Sequence, residues 1–409
     1  MYFVLLKSIT LLLTGLSGFL LLLCLLLLLE TIAFLLPPRA VQHQSLGPQP
    51  RAAIVIPAHD EEAVLAETLA PLTQLPYPIV LVADNCSDRT ATIGRNFGAL
   101  VIERHNPYLL GKGYAMDFGI DFLSKTPPDV VLFLDADCQV PNAEVMQLID
   151  YAIQFQRPIQ SAYVMRLPSE PTSKHRVSVF AFKFKNQVRM HGLSRLGGPT
   201  VLAGSGMAFP WHTLENVNLA SGAIVEDMKL GIDLAISSRP VLFYPHATVT
   251  SVLPQKTTAV NSQRTRWEHG HLQSIGTYVP KLLVASLRQR RGDLLLLAWD
   301  LCIPPLSLMV MLWAMSLGVI TLAYSFGMAE LAFNLILMAG VMLLSAILLA
   351  WQRIGRTDLP LRDLLRIPFY VLGKVPLYLR FMTDRQEAWE RTERDRVESS
   401  SSISLSSKN

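Results

Sequence analysis

VVLFLDADCQV, residues 130–140, decides how the middle of the chain is read. Five apolar residues, Val130 to Leu134, run straight into two carboxylates, Asp135 and Asp137. An apolar run of that length is a strand covered on both faces, as in a parallel sheet with helices on either side. Charge is costly inside such a sheet, so the acids belong at the strand's end. At i, i+2 spacing they leave the strand on the same face and can both aim at one ion. Hard oxygen ligands select Mg²⁺ or Mn²⁺, and those ions commonly bring phosphate with them.

Two earlier runs end in the same way. AIVIPAHDEE begins at Ala53; the strand reaches Ile56 and a helix is expected from Glu61 to Leu72. IVLVADNCSD begins at Ile79, with the next helix at Thr90 to Phe97. Strands alternating with helices predict an α/β domain whose parallel sheet is wound by right-handed crossovers. Ligands of such sheets sit beyond the C-terminal ends of the strands, where Asp60, Asp84, Asp135 and Asp137 all fall. Singly, each acid serves equally well as a helix cap or turn residue. Gathered on one edge they repel one another and call for a cation.

Further along, NPYLLGKGYA places Lys112 in a glycine-flanked turn before a helix, suited to a diphosphate. It is not a Walker A loop, because Asn106 stands where the first glycine belongs. GAIVEDMKLGIDLA puts Glu226 and Asp227 in the first turn of a helix. Dipole compensation alone would require one acid there; an Asp facing a cavity can act as a general base. NSQRTRWEHGHLQSI supplies Gln263, Arg266 and Trp267: a planar fork for phosphate oxygens and a flat face for a sugar or base. His269 and His271 have no acid or cysteine at ligand spacing and are read as structural.

The totals bound the class. Of 409 residues 51% are apolar, and the mean hydropathy is +0.33. The apolar residues concentrate at the N-terminus and after residue 293, leaving a stretch of ordinary globular composition between. A net charge of +4, without one-sided basic patches, argues against nucleic acid as a partner. The four cysteines form no CxxC pair, so neither a disulfide framework nor a zinc site is expected, and a reducing compartment is.

Residues 9–36 are long and apolar enough to cross a bilayer, with Glu30 the only charge. A second span is expected from Leu294 to Tyr324, kinked or started late by Pro304 and Pro305, and a third from Leu331 to Trp351. The short link between them makes a hairpin. Arg39 and Arg51 follow the first span; Arg288, Arg290 and Arg291 precede the hairpin, and Arg353, Arg356 and Arg362 follow it. The positive-inside rule therefore places the middle domain of a multi-pass membrane protein in the cytoplasm. Residues 364–382, apolar but broken by Pro368, Lys374, Pro376 and Arg380, are read as lying in the interface. The expected organisation is a membrane helix at 1–37, a cytoplasmic domain at 52–293, a membrane hairpin at 294–351, an interfacial helix at 364–382 and a disordered tail at 397–409.

Seven stretches in order, IPAHDEE, VADNCSDRTA, GKGYA, LDADCQV, GSGMAFPW, VEDMKLG and QRTRW, resemble the membrane-bound family 2 glycosyltransferases. That group includes cellulose, chitin, hyaluronan and other exopolysaccharide synthases, and the likeness runs from about residue 52 to 275. It implies a GT-A fold (Rossmann-like), a nucleotide-diphosphate sugar donor, commonly a UDP-sugar, and inversion at the anomeric carbon. By this resemblance Pro57, Ala58 and Glu62 border the nucleoside, Asp84 binds the base, Lys112 approaches the phosphates and Asp135 faces the nucleotide. Asp137 holds the divalent metal, Mg²⁺ or Mn²⁺. Gly204, Ser205 and Gly206 shape the acceptor pocket, and Asp227 is the catalytic base. Glu226, Gln263, Arg266 and Trp267 close over the diphosphate and acceptor. The chain has fewer C-terminal spans than the best-known polymer synthases. A polysaccharide and a lipid-linked acceptor therefore both stay open, as do processive and single transfer. Other envelope-biosynthesis proteins are candidate partners. The alternative reading is a catalytically silent scaffold that binds nucleotide-sugar, which would have no need of Asp137 and Asp227 together.

Overall fold

The computed structural model describes residues 2–37, 49–215, 217–220, 225–364 and 366–383, so the expected tail at 397–409 lies outside the described residues. Its strands are β1 (Ala52–Ala58), β2 (Ile79–Asp84), β3 (Leu100–Arg104), β4 (Val130–Phe133), β5 (Ile159–Arg166), β6 (Met207–Pro210) and β7 (Leu242–Val252). They form one sheet in the order β3-β2-β1-β4-β6-β5-β7. Side chains alternate between two cores. Ile54, Ile56 and Leu132 enter one, while Val55, Val131 and Phe133 enter the other. Each such burial contributes roughly 1.5–3 kcal/mol, which is why these strands read as unbroken apolar runs.

The sheet is parallel only in part. β1 to β4 run parallel, with Val55 beside Phe133 and Ala58 beside Ala83. β6 runs antiparallel to both β4 and β5. The cause lies in GSG: the chain arrives at the C-terminal edge through Gly204 and Gly206, with φ of 94° and 69°. A strand that starts where β4 ends must run back along it, and Met207 pairs with Phe133. The segment before β6 therefore sits on the same edge as the acids. The helix after β1 starts at Leu65, later than expected, and the one after β2 covers Thr90–Asn96.

Among the described residues three helices are long and apolar enough to cross a membrane, within Val4–Leu35, Leu306–Ser325 and Glu330–Gly355. Leu23, Cys24 and Leu27 of the first pack in one cluster with Ile336, Ala339 and Leu343 of the third. The stretch read as one span from Leu294 is two helices, Gly292–Cys302 and Leu306–Ser325, broken at Ile303–Pro305. Two consecutive prolines remove two amide donors and clash with the preceding turn. Residues 364–382 fall largely on the short helices Ile367–Leu372 and Val375–Thr383. Lys374 between them pairs with Glu268 of the long helix Thr257–Gln289, and Tyr378 and Ser307 hydroxyls lie 2.7 Å apart.

Candidate active site

The sheet edge is built from the ends of β1, β2 and β4. Arg104, ending β3, donates to Asp84 at 2.6 Å. Burial pushes the Asp84 carboxyl up, and the Arg104 guanidinium opposes this. The backbone N–H of Asp135 donates to the Ser205 hydroxyl at 3.0 Å, and its carboxylate pairs with Lys112. The Ser251 hydroxyl of β7 donates to Asp137 at 3.1 Å. Ligand atoms of Asp135, Asp137 and Cys138 lie within 4.8 Å of one another. Burial, then the charges of Asp137 and Asp135, push the Cys138 thiol up, so it stays protonated and is no partner for a hard ion. Two carboxylate donors remain, which fits Mg²⁺ or Mn²⁺.

Lys112 opens the helix Lys112–Leu123, and Gly111 before it has φ 130°, a conformation that suits glycine. Its ammonium donates to the Gly204 carbonyl at 2.6 Å. Burial alone would lower its pKa, but Asp135, Glu226 and Asp227 outweigh burial and hold it above the ordinary lysine value. Gly204 is hemmed in: a Cβ there would meet Asp227 Oδ2 at 3.2 Å and Lys112 Nζ at 3.5 Å. The GSG turn thus brings a backbone carbonyl between the lysine and the base.

Asp227 lies in the first turn of the helix Glu226–Ile236, where the Met228 N–H donates to its Oδ1 at 2.7 Å. Beside it, Glu226 is raised to about 7 by burial and by the Asp227 charge, with Lys112 and Arg266 acting against the rise. A carboxyl near neutrality next to a carboxylate is the electrostatic pattern of an active site.

One cavity of about 340 Å³ collects most of these groups. Pro57, Ala58, Asp84, Lys112, Asp135 and Asp137 line it together with Gly204, Glu226, Asp227, Gln263, Arg266 and Trp267. Three residues assigned to the site from sequence do not line it. Glu62 points outward, paired with the exposed Arg89 at 3.1 Å. Ser205 supports the Asp135 backbone and also gives its carbonyl to Gln160 at 2.9 Å. Gly206 is buried where a Cβ would fall 1.9 Å from the Ser161 hydroxyl, so it shapes the β5–β6 contact and not a pocket. His269 and His271 sit against the carbonyls of Leu377 and Leu301, each at 3.2 Å. The cavity also contains Lys185 and Asn186, in a stretch that carries no motif, and only the fold brings them there.

Known proteins place this geometry. A family model described as glycosyltransferase like family 2 matches residues 48–270. Among curated relatives, the chain is 32% identical over 132 residues to a 4,4'-diaponeurosporenoate glycosyltransferase of Staphylococcus haemolyticus, covering 30% of this chain and 34% of that one. It is 25% identical over 287 residues to a beta-monoglucosyldiacylglycerol synthase of Trichormus variabilis, covering 64% and 57%. The chain therefore spans less than two thirds of either relative. Among solved structures, the mannosyltransferase PcManGT of Pyrobaculum calidifontis, in complex with GDP-Man and Mn²⁺, superposes with a TM-score of 0.55 at 15% identity, covering 93% of this chain and 100% of that one. At that identity the likeness is one of fold, the GT-A fold.

Proposed function

The chain belongs to the glycosyltransferase-like family 2, and we propose that it moves a sugar, with inversion, from a nucleotide-diphosphate sugar to a lipid-linked acceptor at the cytoplasmic face of the inner membrane. One observation carries this reading. The cavity that holds Asp84, Lys112, Asp135 and Asp137 also holds Asp227, and its wall continues to Leu27 and Ile303–Ser307 at the membrane helices. A donor entering from the sheet edge and an acceptor entering from the bilayer would meet at Asp227. The relatives named for carotenoid and glycolipid substrates agree with a lipid acceptor. A polysaccharide is the other acceptor left open by the sequence.

The chain's own groups suffice to write the step. The acceptor hydroxyl gives its proton to Asp227 as its oxygen forms a bond to the anomeric carbon. The bond from that carbon to the diphosphate oxygen breaks, and its electron pair leaves with the nucleoside diphosphate. Lys112 and Arg266 face the leaving charge, and the Trp267 ring, 5.3 Å from that of Phe182, offers a flat wall. Asp135 and Asp137 would hold Mg²⁺ or Mn²⁺, which when bound neutralises the diphosphate. Arginines at both flanks favour the cytoplasmic orientation.

The test is release of nucleoside diphosphate from labelled UDP-sugars by membranes carrying wild type or Asp227→Asn. Loss of a general base lowers the rate by about 10²- to 10⁴-fold. Unchanged release in the variant would remove Asp227 from the chemistry. No release by the wild type with any donor would favour the silent scaffold.

A further inference from the structure

The cavity continues past Asp227 into a second half that the donor does not need. Lys185 and Asn186 project from a π-helical turn, Phe184–Arg189, set between the helices Ser173–Lys183 and Met190–Arg195. Interruptions of this kind are frequent at functional sites because they re-aim side chains. Lys185 lines the cavity together with Asp227 and also lines a small pocket with Arg189, Asp300 and Leu301, so it is shared between the base's surroundings and the membrane junction. Among the described residues no hydrogen bond or ion pair holds its ammonium. Arg189 and Lys374, by contrast, are each paired with acids.

The same half contains orphaned acceptors. Asn186 Oδ1, Gln263 Oε1 and Glu268 Oε2 are buried with no hydrogen-bond partner among the described residues. The three residues are 3%, 7% and 8% exposed and all line the cavity. Leaving such atoms without a donor is costly, so a ligand that donates to them is favoured. The two amides can present either end, but the carboxylates of Glu268 and Asp227 accept when ionised. A phosphate would bring negative charge towards Glu226, Asp227 and Glu268 and could not satisfy the acceptors. Hydroxyl groups do both: they donate to the oxygens and accept from Lys185. Beyond them the wall turns apolar at Leu27, Phe184, Ile303 and Leu306, which suits an acyl chain.

We propose that this half of the cavity is the acceptor site, and that it takes the neutral, hydroxyl-bearing headgroup of a membrane lipid, a glycerol or a sugar, selected by Lys185 and Asn186. The proposal rests on Asp227 as the base of a glycosyl transfer, since the headgroup hydroxyl is what Asp227 would deprotonate. Burial lowers the Lys185 pKa, with Asp227 opposing the fall, and a lysine so placed matches an uncharged partner better than an anion.

The test uses the full chain in nanodiscs of dioleoylphosphatidylcholine. These are doped at equal mole fraction with dioleoylglycerol, monoglucosyl-dioleoylglycerol or undecaprenyl phosphate. Native mass spectrometry reads lipid retained, and labelled UDP-sugars read transfer. The expected result is that one hydroxyl lipid is retained and glycosylated, its identity telling glycerol from sugar, while undecaprenyl phosphate is neither. Lys185→Met should raise the acceptor KM about ten-fold, the weight of one hydrogen bond, with the donor KM within about two-fold. Preferential retention of undecaprenyl phosphate, retention of none of the three, or an unchanged acceptor KM in Lys185→Met would overturn the proposal. Hydroxyl-lipid retention that needs Lys185, without transfer from any donor, would keep the lipid site and sink the glycosyl-transfer reading. The wild-type lipid panel needs no variant, so a poorly folded Lys185→Met leaves the test intact.

Discussion

Two sets of enclosed acids in this chain are built on opposite plans. At the membrane junction, Glu30 and Asp300 share Arg189, whose guanidinium lies 3.4 Å from one carboxylate and 2.6 Å from the other. Arg189 also donates to the Asp300 carbonyl at 2.8 Å. At the sheet edge, Asp135, Glu226 and Asp227 crowd around Lys112, and Asp137 is held by a serine hydroxyl. The first set brings its counter-charge with it and ties the N-terminal helix to the Gly292–Cys302 helix and the π-helical turn. The second set gathers four carboxyls, Asp135, Asp137, Glu226 and Asp227, on the wall of one cavity that neither Glu30 nor Asp300 lines. Acids that share a guanidinium inside a helix junction are architecture, whereas acids gathered on a cavity wall point to a ligand that brings positive charge.

This contrast is open to attack by mutation. Arg189→Ala should be the most damaging change, because it strands two acids in a buried junction; a loss of about 3–5 kcal/mol is expected. Thermal unfolding in detergent would read it, and a melting temperature equal to wild type would void the distinction. Next comes Gly204→Ala. With φ at 94° and Asp227 Oδ2 3.2 Å from the added Cβ, it should cost about 1–2 kcal/mol of backbone strain and lower turnover more than stability. An active Gly204→Ala would mean that the turn is not what sets the distance between Lys112 and Asp227.

The pH dependence at the edge is of similar size. Folded Glu226 is raised to about 7, above its unfolded value, so its neutral form is favoured in the fold. Its contribution is present below the unfolded pKa and is lost as pH rises from about 4.5 through 7, on the order of 3 kcal/mol. Glu226→Gln should flatten the stability profile across that window; a profile unchanged by the substitution would contradict the burial of the carboxyl. The smallest effect is expected from Glu62→Gln, which breaks one exposed pair with Arg89 worth about 0–1 kcal/mol. A large loss of nucleotide release in Glu62→Gln would return Glu62 to the donor site.

These positions also explain what could be read from the chain alone. β1, β2 and β4 were legible because strands buried on both faces are apolar throughout, and their acids mark where the sheet stops. Lys112 was legible because a lysine opening a helix runs against the dipole, and Asp227 because the dipole asks for one acid in that turn and the chain supplies two. The reversal of β6 was hidden: MAFP has the same apolar look in either direction, and its sense is set by where GSG delivers the chain. That Ser205 and Gly206 leave the cavity wall to Gly204 was hidden for the same reason, since adjacent residues in a tight turn face different ways. Lys185, Asn186 and Arg189 carry no local pattern at all. Their meaning comes from a π-helical turn and from partners more than 100 residues distant, Asp300 for Arg189 and the Ile303–Ser307 stretch for the cavity wall.

We propose that the acids at the sheet edge bind a divalent ion together with a nucleoside diphosphate. Melting temperature of the purified full chain, with Mn²⁺ together with UDP or GDP and with each component alone, tests it most directly. A ligand at about 100 times its Kd stabilises the fold by about 2.7 kcal/mol, so the pair should raise the melting temperature of wild type by several degrees. Asp137→Asn should lose most of that rise, and Arg189-linked stability should be untouched by it. An equal rise in wild type and Asp137→Asn, or no rise in wild type with either nucleotide, would contradict the claim.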